Sequence, residues 1–239
     1  MARMSLDVLV SQLRAAYGED LSAVVLYGSA AGGEHNPDRS DYNVLVIVKH
    51  LNGTTLPAAS AVARAWSDAG NPAPLTFTEP EWRGSADVFA MEYADILERN
   101  RVLFGTPPFA GITVRPADLR LQLEREALGK VLRLRQEIHA AGGDGKRLVH
   151  LLSASLSGVL AVFRAFLRLH GERPAADNVA IVEAVARRAR FDAAPLVRAA
   201  RHLRGERLSP SEALSLVPSY LSGMERLVEY LDQFSPDVS

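Results

Sequence analysis

The sequence predicts an α/β domain with a small mixed sheet, followed by an α-helical bundle domain. Three observations lead to this prediction. In the first half of the chain, short runs rich in Val, Leu and Ile alternate with segments of helical periodicity. A turn-rich link with the pair Pro107-Pro108 follows. From Pro116 onward, apolar residues recur only at helical spacing, so the predicted domains are residues 1–112 and 113–239.

The elements of the first domain are predicted from changes of hydrophobic period. A helix begins after Ser5, a good N-cap, and ends at Gly18. Short apolar runs rich in β-branched residues indicate buried strands. The remaining predicted elements are, in order, strands at 22–27 and 42–48, a helix at 56–69, strands at 75–78 and 88–93, and a short helix through 101 and 102.

The second domain is predicted to be entirely helical. Its helices are bounded by glycines at their ends and by Asp177, Asp192 and Ser209 at their starts. Pro218 is expected to kink or break the last of them. The predicted helices are 117–141, 146–169, 178–190, 193–204 and 210–234.

Composition excludes several classes of protein. The chain has 239 residues, of which 48% are hydrophobic and 23% charged, so it is not mainly disordered. A net charge of -1 gives no overall attraction for nucleic acid, which is not an expected partner. The absence of cysteine removes disulfides and thiolate metal sites. The most apolar stretch, 151–163, is shorter than a membrane span, so we expect a cytoplasmic protein without a membrane partner.

The most informative segment is 24–48. Its first apolar run ends at Gly28-Ser29, a loop rich in Gly, Asn, Pro and Asp follows, and a second apolar run begins after Asp41. Gly28 would let a phosphate approach the backbone closely, and Ser29 would add a hydroxyl and an N–H at a helix start. Asp41 and Asn43 alternate by two and leave one face of the strand together. That spacing suits carboxylates that share hard metal ions, which bind phosphate oxygens.

This segment resembles the nucleotidyltransferase superfamily of the DNA polymerase β type, most closely its minimal and aminoglycoside-type members. The family signature is Gly-Ser, a loop of about a dozen residues, and Asp-x-Asp opening an apolar strand. Here the first part is Gly28-Ser29, and the second is Asp41-x-Asn43. The resemblance implies that ATP is a substrate and Mg2+ a cofactor, with the nucleotide held at Gly28, Ser29 and Ser40. It implies transfer of AMP to a hydroxyl of a small molecule or a protein.

The second acidic position of the signature is Asn43 in this chain. In the family, two Asp residues and a third carboxylate hold two magnesium ions that align the triphosphate. Asn offers magnesium a carbonyl oxygen but no charge, so we expect weaker metal binding. Two interpretations stay open. The protein is an enzyme with a modified metal site, or it is an inactive regulatory module that binds a nucleotide or a partner.

The resemblance places the third carboxylate on a later strand. Glu92 is the first candidate, because it lies within the apolar run 88–93, where a buried charge is costly unless it pairs with another group or binds a metal. It would complete a metal site with Asp41 and Asn43, or act as the base on the acceptor hydroxyl. The alternatives for this role are Glu79, Glu81 and Asp95.

The helical half invites a second comparison, with HEPN ribonuclease domains, whose motif is Arg, four to six residues, and His. The pairs Arg133/His139 and Arg164/His170 have this spacing. Because so loose a pattern arises by chance, a HEPN-type protein related to toxins and antitoxins is a weaker hypothesis than a nucleotidyltransferase. The expected role of the bundle is to complete a substrate cleft, as in the aminoglycoside-type enzymes.

Overall fold

Residues 4–32 and 42–236 are described by the structure, which is a computed structural model. The chain divides into two units, residues 1–114 and 115–239. The first unit contains a sheet, four α-helices and a short 3-10 helix (Gly18–Asp20) among its described residues. Its elements are α1 (Leu6–Tyr17), β1 (Leu21–Tyr27), β2 (Asn43–Val48), α2 (Leu56–Asp68), β3 (Leu75–Thr78), α3 (Glu79–Gly84), α4 (Ala90–Glu98) and β4 (Asn100–Gly105).

The sheet is small and mixed, which confirms the predicted class of the first domain. Its strand order is β3-β2-β1-β4. Strand β1 is antiparallel to both β2 and β4, whereas β2 and β3 are parallel. The parallel pair needs a crossover connection, and α2 provides it. The two central strands are therefore β1 and β2, the pair that flanks the Gly-Ser segment.

Helices cover both faces of this sheet, which explains why its central strands are continuous apolar runs. On one face, Val24 and Val46 pack in a cluster with residues of α1 and α2, including the fully buried Trp66. On the other face, Val25 and Leu45 pack with residues of α3 and α4. The alternation of side chains along β2 therefore puts Asn43 on the α4 face, together with Leu45.

The strand predicted at 88–93 is wrong, because residues 90–98 form α4. The helix buries Ala90, Tyr93 and Ile96, which recur every three residues, so one helical stripe faces the sheet. The Tyr93 hydroxyl donates a hydrogen bond of 2.7 Å to the Trp82 carbonyl, and the two rings stack at 4.1 Å. Trp82 is itself fully buried and lies just before this segment in α3.

The short helix predicted through residues 101 and 102 is also wrong, because these residues belong to β4. Strand β4 pairs with β1 along the edge of the sheet, with Tyr27 opposite Asn100. Helix α3 was not predicted. It starts with a capping box, in which the Thr78 hydroxyl accepts from the Glu81 N–H and the Glu81 carboxylate accepts from the Thr78 N–H.

Helices are the only regular elements among the described residues of the second unit, as predicted. Its helices are α5 (Pro116–Ala141), α6 (Gly145–Leu169), α7 (Asn178–Ala189), α8 (Ala194–Leu203) and α9 (Pro210–Gln233). Asp144 and Asp177 cap α6 and α7 by accepting backbone N–H groups. A capping box between Ser209 and Glu212 starts α9, which continues through Pro218 rather than ending there.

Helix α6 is the centre of this unit. Helices α5, α7, α8 and α9 all contact it. Its buried side chains include Leu156, Val159, Phe163 and Phe166. Within the described residues, α6 is the one helix long and apolar enough to cross a membrane. The core helix of a bundle has the same length and composition, and its packing against four helices explains these properties here.

Candidate functional site

The end of β1 and the start of β2 form the candidate site. Tyr27, the last residue of β1, is the cross-strand partner of Asn43, the first residue of β2. The chain therefore leaves the sheet at Gly28 and returns to it beside the same point. Among the described residues, Gly28 and Asn43, one from each half of the sequence motif, thus lie at one end of the two central strands.

Gly28 adopts a backbone conformation that favours glycine, with φ +77°. Its N–H donates to the Arg99 carbonyl at 3.1 Å, and its carbonyl accepts from the N–H groups of Ala31 and Gly32. These bonds close a tight turn from Gly28 to Gly32. The helix start expected after Ser29 is a single turn within the described residues.

Two polar side chains lie directly against Gly28. A Cβ atom placed on Gly28 would lie 3.4 Å from Asn43 Nδ2 and 3.6 Å from Asp95 Oδ2. Asn43 comes from β2 and Asp95 from the last turn of α4, so two separate elements place an amide and a carboxylate at one glycine. A side chain at residue 28 would therefore contact both groups.

Asp95 is held by an ion pair one helical turn along the chain. Arg99 Nη2 donates to Asp95 Oδ1 at 2.6 Å, and the two side chains are 11% and 24% exposed. Sequence reasoning named Asp95 only as an alternative to Glu92. The helical spacing of residues 90–98 was the signal that could have raised its rank, because Glu92 and Asp95 are i, i+3 neighbours on one helix face.

Glu92 lies in the first turn of α4 and is exposed. The reason given for it, a charge inside a buried strand, therefore does not apply, and its catalytic role stays a prediction. The negative charge of Glu92 nevertheless affects the pKa of Tyr27 at the candidate site. Burial, followed by the negative charges of Asp95 and Glu92, raises the pKa of Tyr27 to about 12. The Tyr27 phenol therefore stays protonated at neutral pH and can donate a hydrogen bond but cannot act as a base.

Glu79 and Glu81 lie at the opposite end of the sheet from Gly28. In the parallel pair, Val48 at the end of β2 is opposite Thr78, which directly precedes Glu79. Asn43 is five residues earlier on β2, a separation of about 16 Å along the strand. The structure does not bring these two carboxylates to the candidate site.

Glu79 and Glu81 both form hydrogen bonds with nearby residues, away from the candidate site. Glu79 accepts a hydrogen bond of 2.6 Å from the Ser22 hydroxyl and lines a pocket of about 320 Å³ with Trp82 and Arg83. Glu81 belongs to the capping box of α3, and its hydrogen bonds from Thr78 hold its pKa below the usual value.

Ser40 and Asp41 lie outside the described residues. Within residues 4–32 and 42–236, no group of three or more His, Cys, Asp or Glu side chains is placed to hold a metal ion. Asp95 offers at Gly28 a carboxylate of the type that magnesium takes, whereas the Asn43 atom nearest to Gly28 is its amide nitrogen, Nδ2. The described residues fit magnesium only in part, and Asp41, which the sequence motif places two residues before Asn43, is the candidate for a further carboxylate.

The two HEPN-like pairs occupy different surroundings. Arg133 and His139 are both exposed on α5. Arg164 donates to Asn178 Oδ1 at 2.8 Å. His170 is packed among three aromatic rings, those of Phe166, Tyr230 and Phe234. These contacts place His170 in the packing of the bundle end.

A small mixed sheet with a glycine turn between its two central strands, followed by a helical bundle, is a nucleotidyltransferase-type fold. A solved structure of this type is similar to the chain: the spectinomycin adenyltransferase AAD(9) from Enterococcus faecialis, with ATP and spectinomycin. The identity is 11% and the TM-score 0.60, and the match covers 93% of this chain and 99% of that one. It therefore includes the helical half.

A second solved structure, a toxin-antitoxin with AMP-PNP, is 17% identical and has a TM-score of 0.30. It covers 43% of this chain and 75% of that one, and so slight a likeness adds nothing to the fold assignment. No family model matches the chain, and the comparison with curated proteins found no match.

Proposed function

We propose that the protein is a nucleotidyltransferase that transfers AMP from ATP to a hydroxyl group of a small molecule. The observation that carries the proposal is the juxtaposition at Gly28, where Asn43 and Asp95 lie against a glycine at the end of β1. The likeness to an adenyltransferase with ATP and spectinomycin, over 93% of the chain, supports a small-molecule acceptor rather than a protein.

In this proposal the triphosphate lies along the turn from Gly28 to Gly32, with Ser29 and Ser40 as hydroxyl donors. Magnesium would be held by Asp41, Asn43 and Asp95, and when bound it neutralises phosphate charge and favours attack at the α-phosphorus. Alignment of the acceptor hydroxyl with the α-phosphorus would lower the barrier further through proximity.

The proton balance assigns a role to Glu92. The acceptor oxygen forms a bond to the α-phosphorus, the bond from that phosphorus to the bridging oxygen breaks, and pyrophosphate leaves. Glu92, exposed on α4, takes the proton of the acceptor hydroxyl. Tyr27 cannot serve as this base, because its raised pKa keeps it protonated.

One observation favours a second candidate, a nucleotide-binding module without turnover. Asn43 brings no charge, and the Asp95 carboxylate is already paired with Arg99. Both features reduce the negative charge that a divalent cation would meet in the described part of the site. The two candidates share the nucleotide site and differ only in transfer.

The experiment that separates them measures pyrophosphate release from ATP in the presence of Mg2+ and a panel of hydroxylated aminocyclitols, including spectinomycin. The matched variant is Asp41→Ala. Release that depends on acceptor and on Asp41, together with an acceptor product carrying AMP, is the expected result. Nucleotide binding without release above Asp41→Ala would establish the binding module. Absence of both binding and release would overturn the proposal.

A further inference from the structure

Arg99 is attached to the glycine turn by its backbone and by its side chain. Its carbonyl accepts the Gly28 N–H at 3.1 Å. Its Cδ would lie 3.4 Å from a Cβ placed on Gly32, so its aliphatic stem passes under the far end of the turn. Its guanidinium is fixed by Asp95 at 2.6 Å. The cation is therefore held beside the segment where the proposed triphosphate binds.

The guanidinium of Arg99 is fixed in a largely buried position. Arg99 is only 11% exposed, and a charge taken out of water must be compensated by a partner. Asp95 is such a partner, and its other oxygen, Oδ2, would lie 3.6 Å from a Cβ placed on Gly28. The ion pair thus connects α4 to both ends of the turn.

The chemistry of the group matches a phosphate. A guanidinium keeps its charge at every physiological pH and presents five N–H donors in a planar fork, which suits phosphate oxygens. In the family that the sequence resembles, magnesium held by carboxylates would neutralise the negative charge of the triphosphate. Asn43 supplies none of the negative charge that such a metal needs.

We propose that Arg99 binds the triphosphate of the nucleotide at the Gly28–Gly32 turn, with Asp95 as the residue that positions it. This inference rests on the proposed function. Its consequence is that nucleotide affinity depends less on magnesium than a site built from carboxylates alone would allow. The affinity then depends more on the number of phosphates than on the base. Arg99 strengthens the binding of a nucleoside triphosphate but not that of an unphosphorylated nucleoside.

The test is calorimetric titration of the full chain with a non-hydrolysable ATP analogue and with adenosine, in Mg2+ and in excess chelator. The variants are Arg99→Gln, Arg99→Lys, Asp95→Asn and the control Arg101→Gln, an exposed arginine two residues further on in β4. Thermal unfolding of each variant checks that it is folded.

We expect the parent and Arg101→Gln to bind the ATP analogue even in chelator. Arg99→Gln should weaken that binding by about tenfold or more, as loss of a charge-assisted hydrogen bond implies, and should weaken it less in Mg2+. Arg99→Lys keeps the charge and should lose less than Arg99→Gln. Asp95→Asn should fall between the parent and Arg99→Gln. Adenosine binding should not change.

Three results would overturn the inference. In the first, Arg99→Gln binds the ATP analogue as tightly as Arg101→Gln, which leaves the proposed function intact. In the second, Arg99→Gln is unfolded, whereas Arg99→Lys and Asp95→Asn are folded and bind the ATP analogue as tightly as the parent in Mg2+ and in chelator, which makes the residue structural. In the third, the parent binds no nucleotide under any condition, and the proposed function then fails as well.

Discussion

Asn43 and Tyr27 face each other across the antiparallel pair of β2 and β1, at the point where the chain leaves the sheet and returns to it. This pairing fixes the amide of Asn43 beside the Gly28 turn. It also places both residues on the face that α4 covers, where burial and then the carboxylates of α4 raise the pKa of Tyr27. The geometry of the candidate site therefore follows from strand register together with one helix.

Restoring the missing carboxylate should strengthen metal binding. Asn43→Asp adds a negative charge next to Asp95, and magnesium holds charged oxygen ligands better than neutral ones. We expect the Mg2+-dependent part of ATP-analogue affinity to rise by about tenfold, the effect of one added charged contact. Calorimetric titration at several Mg2+ concentrations measures it. Gln136→Glu, which adds the same charge on the exposed side of α5, is the control and should change nothing.

Gly28→Ala should damage both stability and nucleotide binding. An alanine at φ +77° is strained by about 1–2 kcal/mol, and its methyl group would contact Asn43 and Asp95. Urea unfolding and nucleotide titration check the two effects. Gly53→Ala is the matched control, because nothing lies within 4 Å of a Cβ placed on Gly53 and the φ of Gly53 is not positive. Equal behaviour of the two variants would contradict the assigned role of Gly28.

Two helical glycines of the second unit should respond in opposite ways to alanine. A Cβ on Gly145 would collide with the Pro210 carbonyl oxygen, so Gly145→Ala must push the starts of α6 and α9 apart. We expect a loss of about 1–3 kcal/mol of unfolding free energy. Gly129 in α5 has nothing within 4 Å, so Gly129→Ala should add up to about 1 kcal/mol through helix propensity. Chemical denaturation of both variants would show whether their signs differ.

His170 should make the bundle sensitive to mild acid. Burial, followed by the positive charge of Arg188, lowers its pKa below the ordinary 6.5, while Glu172 opposes this shift. The neutral form is favoured in the folded state. The stability that His170 contributes is therefore complete above the unfolded pKa and is lost as the pH falls toward the lowered folded pKa.

Urea unfolding between about pH 7.5 and 5.5 measures this effect, because that range spans the titration of histidine. His170→Gln removes the titration, and we expect its midpoint to fall less with pH than that of the parent. His139→Gln alters an exposed histidine of α5 and should follow the parent. If the parent and both variants have the same pH dependence, another group is responsible for the acid sensitivity.

Local sequence signals were sufficient where an element is decided by its own residues. The runs at 22–27 and 75–78 are strands because their β-branched residues fit a buried sheet, and the structure places β1 and β3 there. Ser5, Asp177 and Ser209 start helices because their side chains accept N–H groups of the first turn. Such signals do not depend on the rest of the fold.

The segment 88–105 shows where local signals fail. Its short apolar runs suit a strand or a helix equally well, and the prediction exchanged the two. Contacts from outside the segment decide the outcome: the bond from Tyr93 to Trp82 fixes α4, and pairing with β1 fixes β4. Because Glu92 was read on a strand, Asp95 was ranked below it as a candidate for the site.

The sequence by itself determined the class of the fold, the order of the two domains and the two ends of the Gly-Ser motif, because periodicity, capping and glycine are properties of neighbouring residues. Only the tertiary structure decided which carboxylate lies against Gly28 and which arginine lies under its turn. Asp95 and Arg99 are more than 60 residues from Gly28 in the chain. Their meeting depends on helix α4 packing against the sheet, which is set by the shape of the whole core and not by any local pattern.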